Sequence, residues 1–137
     1  MGLYLCIFDE DDEVDGVEVG SYGDYNALRD YIVREMEAGR VGFRFPTFVL
    51  HSDCDGQWSV PECEKLFGEL TQIIAALKER AKIEFEADWQ KAVAKSVGLE
   101  PKNAFESFID VDGEFLLQRI QSLVNTALIR KLPILFQ

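Results

Sequence analysis

The segment from Ser59 to Leu77 constrains the fold more than any other, because its local chemistry fits only a helix. Ser59-Val60-Pro61-Glu62 matches the capping box S-x-x-E. In that motif the serine hydroxyl accepts from the amide three residues on, and the glutamate reaches back to the serine amide. Pro61 is tolerated there because a first-turn residue needs no N–H. Cys63, Leu66, Phe67, Leu70, Ile73, Ile74 and Leu77 then recur at helical spacing, which predicts an amphipathic helix of about five turns with one face buried.

The other elements follow from the same rules. Leu3 to Phe8 is short, apolar and aromatic and reads as a buried strand. Asp9-Glu10-Asp11-Asp12-Glu13 is expected to leave that strand as a solvated loop, because adjacent carboxylates repel one another. Gly16 to Gly20 alternates and is expected to return as the second strand of a hairpin. Asp24 is the expected N-cap of a helix ending near Gly39, with Tyr25, Leu28, Ile32 and Met36 on its buried stripe. Pro46 splits the run from Phe43 to Leu50, which leaves a short extended segment over Thr47 to Leu50. A further helix is predicted from Glu84 to Val97 with Gly98 as its stop. Another runs from Phe115 to Arg130, and Ile134 to Phe136 is suited to a terminal strand. Strands early and amphipathic helices late predict an α+β class: a small antiparallel sheet with three to four helices packed on one face. With no repeat, linker or composition shift, residues 1–137 are expected to form a single domain.

Charge narrows the function. The chain carries 25 acidic and 14 basic residues, a formal net charge of -11. Such a surface repels phosphates, so nucleic acid and anionic membranes are poor partners, whereas a cationic protein is drawn in. No stretch approaches the ~20 apolar residues of a membrane span. The opening MGLYLCIFDEDD lacks the basic start of a signal peptide. The three cysteines, Cys6, Cys54 and Cys63, are an odd set without metal-ligand spacing. Together these features predict a cytoplasmic protein without cofactor or metal.

The densest polar cluster is His51-Ser52-Asp53-Cys54-Asp55-Gly56-Gln57-Trp58-Ser59. Asp53, Asp55, Gln57, Ser59 and Glu64 fall at positions 1, 3, 5, 7 and 12 of a calcium loop, but Trp58 occupies position 6, where the sharp turn needs glycine. Cys54 beside His51 offers a thiol with a nearby base, the minimum for a small thiol hydrolase. However, His51 is the only histidine, and the flanking carboxylates disfavour a thiolate. A purely structural reading makes Asp53 and Asp55 Asx-turn residues, Gly56 a left-handed turn and Trp58 a lid on the core. No phosphate-binding glycine loop occurs. Trp89, Tyr22, Tyr25 and Tyr31 are further aromatic candidates for an interface, or else core residues.

Three stretches, MGLYLCIF, GVEVGSYGDY and RFPTFVLHSDCDGQWSVPECEKLFGEL, together resemble a family of immunity proteins from bacterial polymorphic toxin systems. The resemblance is best from Met1 to Leu77. It implies a non-enzymatic protein that neutralises a cognate toxin domain by stoichiometric occlusion. Many such toxins are nucleases, whose basic clefts suit an acidic inhibitor. Under this reading Asp9, Glu10, Asp11, Asp12, Glu13 and Asp15, with Asp53, Asp55 and Trp58, are the expected contacts. The carboxylates would steer association, and Trp58 or a nearby tyrosine would anchor it.

Overall fold

A computed structural model describes residues 2–137; Met1, the first residue of the expected domain, lies outside them. Strand β1 (Gly2–Asp9) pairs antiparallel with β2 (Asp12–Ser21). The acidic run is therefore not the loop expected from its charge. Phe8 pairs with Glu13 and Asp9 with Asp12, so only Glu10 and Asp11 make the turn, and Glu10 takes a left-handed φ of 57°. The pleat sends successive side chains to opposite faces, which separates neighbouring carboxylates and lets the ladder continue through them.

The N-cap of helix α1 (Tyr22–Met36) lies three residues before the expected one. Ser21 is the N-cap: its hydroxyl accepts from the Asp24 amide at 3.0 Å, and the Asp24 carboxylate accepts from the Ser21 amide at 3.0 Å. Asp24 is thus the far member of a capping box, and the helix closes at Met36 with Glu37 as C-cap. The expected extended segment at Thr47 to Leu50 is instead one helical turn, α2 (Pro46–Val49). Its cause is tertiary. The Glu69 carboxylate accepts from the Thr47 and Phe48 amides at 3.2 and 3.0 Å, satisfying first-turn N–H groups that no local side chain caps.

After the two-residue strand β3 (Gln57–Trp58), helix α3 (Val60–Lys78) has the capping box expected of Ser59 and Glu62. Its buried stripe is Cys63, Leu66, Leu70, Ile73, Ile74 and Leu77, while Phe67 stands at the exposed rim. Helix α4 (Asp88–Val97) is shorter than expected and separated from α3 by irregular chain. Gly98 ends it in a left-handed conformation, φ 70°. Helix α5 (Leu116–Arg130) precedes β4 (Ile134–Phe136).

The sheet order is β2-β1-β4-β3, antiparallel throughout, so the C-terminal strand lies between elements from the first half of the chain. Among the described residues, four antiparallel strands and five α-helices make the α+β class. Leu3, Leu5 and Ile7 share one side of β1 and join Val17 and Val19 in a core with α1, α3 and α5. No helix among the described residues is long and apolar enough to cross a membrane.

Candidate functional site

At the hairpin, backbone pairing holds the acidic side chains in two environments. Asp9 pairs with Arg130 at 3.2 Å and Asp15 with Arg119 at 3.6 Å, while Glu13 accepts from the Tyr4 hydroxyl. That hydrogen bond to a carboxylate pushes the Tyr4 phenol well above its ordinary pKa. Glu10, Asp11 and Asp12 are exposed and make no ion pair among the described residues. These three form the unneutralised negative tip.

The second cluster, residues 51–59, is fastened to α1. Arg29 donates to the Val49 and His51 carbonyls and to Asn26 Oδ1. Asn26 Nδ2 in turn donates to Asp53 Oδ2 at 2.6 Å. This amide, with smaller help from the Cys54 thiol and Arg29, holds the Asp53 carboxyl below its ordinary pKa. His51 stacks on Phe136 with ring centroids 4.1 Å apart. Its Nδ1 and Nε2 each lie 2.9 Å from a backbone carbonyl, of Ser52 and Gln57 respectively. The ring nitrogens thus face backbone carbonyls rather than Cys54, whose exposed thiol instead neighbours Ser52 Oγ at 3.6 Å. His51 and Cys54 therefore do not form a nucleophile–base pair.

The calcium register fails to assemble for similar reasons. Asp53 is turned toward Asn26, Ser59 Oγ is used by the Glu62 amide, and position 6 is a buried indole. Among the described residues no three His, Cys, Asp or Glu side chains converge as metal ligands. Trp58 itself corrects an expectation. It is 0% exposed, packs against Phe48 and Phe136, and donates from Nε1 to the Thr47 carbonyl at 3.1 Å. Buried there, it supports the core and offers no exposed ring on this surface. Asp55 is exposed, and Gly56 takes the left-handed φ of 82° expected of it. Tyr25 and Tyr31 are core residues too, while Trp89 is half-buried and donates to Asp24 at 3.0 Å.

The fold does not bring the two acidic segments together. Strand β4 runs against β1, and Gly56, which accepts from the Phe136 amide, lies level with Leu5 at the far edge of the sheet. The hairpin tip lies beyond Asp9 at the other end. Strand rise and sheet width together separate the segments by roughly 15–20 Å.

A third surface escaped the sequence reading, which assigned Phe43 to Leu50 to an aromatic, β-rich segment. Val41, Phe43 and Leu50 are 63%, 68% and 61% exposed. Leu50 rests on Gly42, where any Cβ would come within 2.7 Å of the leucine Cγ. One signal was available in the sequence: no acidic residue lies between Glu37 and Asp53, while two arginines do.

Compared with known proteins, the chain matches the family model described as Immunity protein 70 over residues 3–136. No curated protein and no solved structure matches it.

Proposed function

The chain belongs to the Immunity protein 70 family, and from that membership we propose that it binds the cognate toxin of a bacterial polymorphic toxin system and neutralises it by stoichiometric occlusion. The match across residues 3–136 is the observation that carries this reading. The protein works without turnover, in the cytoplasm of the cell it protects. The His51 ring faces the Ser52 and Gln57 carbonyls rather than Cys54, which does not favour the thiol-hydrolase alternative. A nuclease, with its basic cleft, is the toxin class best matched to a net charge of -11. Glu10, Asp11 and Asp12 at the hairpin tip, and Asp55 at the other end of the sheet, supply the steering field.

The test is co-expression with the toxin domain encoded by the adjacent gene, followed by co-purification and titration. The expected result is a one-to-one complex of submicromolar affinity and restored growth. Cells that die despite co-expression, with no complex recovered, would overturn the reading.

A further inference from the structure

We propose that the loop joining α1 to α2, with the Leu50 side chain, is the anchoring patch for the toxin domain, and that its counterpart is an apolar socket bordered by carboxylates. The inference rests on the binding role proposed above and names the surface that carries it.

Glu37, the C-cap of α1, is only 2% exposed. Its carboxylate accepts from the Gly42, Arg44 and Phe45 amides at 3.0, 2.8 and 2.9 Å, gathering the loop around one buried anion. Ala38, Gly39 and Gly42 all take left-handed φ values, 53°, 79° and 79°. For Ala38 that conformation is strained, because its Cβ crowds the following carbonyl. A loop held this firmly could have turned its apolar side chains inward, as it does with Phe45. Instead it holds Val41 and Phe43 in water beside Leu50. The left-handed strain at Ala38 and the hydrophobic side chains held in solvent point to recognition, since neither improves the stability of the isolated chain.

The charge around the patch identifies the partner's face. The Arg40 guanidinium lies 5.4 Å from the Phe43 ring centroid and that of Arg44 4.9 Å from Phe45. Neither arginine makes an ion pair among the described residues. Arg34, exposed but paired with Glu35 at 3.3 Å, lies at the nearby end of α1. The acidic surface elsewhere cannot serve this part of the interface, so the complementary face must offer carboxylates around an apolar recess. Beside Val41 lies a shallow groove of about 560 Å³, its apolar lining of Val33 and Val49 bordered by Arg29, Arg34 and one carboxylate, Asp30. An exposed aromatic with an arginine over its ring has the composition of a binding hot spot, whereas the hairpin charges act on encounter.

The experiment titrates the purified toxin domain of the adjacent gene against wild-type protein, Phe43→Ala, Leu50→Ser, and the hairpin triple variant Glu10→Lys/Asp11→Lys/Asp12→Lys. Both patch positions are solvent-facing, so thermal melts close to wild type are expected and are checked first. Phe43→Ala is expected to weaken binding by about 30-fold or more, chiefly through faster dissociation. The hairpin variant should change the association rate and its salt dependence. Wild-type binding with both patch variants inside about twofold of it would overturn the patch while sparing the immunity role. Failure of wild type to bind at all would overturn both. A wild-type dimer that Phe43→Ala dissociates, with toxin binding unchanged, would assign the patch to a second copy and overturn the proposal.

Discussion

Trp58 fills the junction where β3, β4 and α2 meet, and its truncation would remove both volume and a hydrogen bond to the Thr47 carbonyl. Trp58→Ala is therefore expected to lower stability by about 3–5 kcal/mol, read as a shifted midpoint in urea. If the indole is core alone, variant that remains folded binds toxin with wild-type affinity. Weak binding by fully folded protein would return Trp58 to the interface. Its burial was not legible locally, because an aromatic before a helix cap suits an interface anchor and a core lid equally well. The roles of His51 and Glu37 were hidden for a similar reason. Side-chain type states what a group can donate or accept, and only the chain brought alongside states what it does.

Local motifs were the most legible features at the level of elements. The capping box at Ser59 and the apolar stripe after it involve residues no more than four apart, so the sequence contains the whole interaction. Ser59→Ala should cost about 1 kcal/mol, seen in chemical denaturation as a lower midpoint with an unchanged slope. A loss near zero would mean that Pro61 and the packing of α3 alone set the helix start. The start of α1 was misplaced by three residues because both ends of a capping box are polar, and Asp24 alone resembles a cap. Helix α2 was missed outright. Its cap is Glu69, more than twenty residues away, and no local pattern predicts a cap brought by another helix.

The charge distribution is a property of the whole molecule, and it predicts kinetics more directly than affinity. With a net charge of -11, association with a basic toxin domain should slow by on the order of tenfold between low and physiological salt, while dissociation changes little. Stopped-flow rates across a salt series check this. An association rate indifferent to salt would end the steering argument without touching the immunity role. Because the hairpin tip and the Asp55 loop lie at opposite ends of the sheet, charge reversal at the two places is expected to be nearly additive.

From sequence alone came the α+β class, the hairpin, the presence of α1, the positions of α3 and α5, and the acidic balance. Each rests on periodicity, capping or composition, which act over a few residues or over the chain as a sum. The tertiary structure decided the rest. It placed β4 between β1 and β3, sealed Trp58 inside, turned His51 away from Cys54, and held Val41, Phe43 and Leu50 in solvent around a buried carboxylate. These outcomes depend on which distant backbone meets which side chain. Burial and hydrogen bonding between segments far apart in the chain have no local period to read.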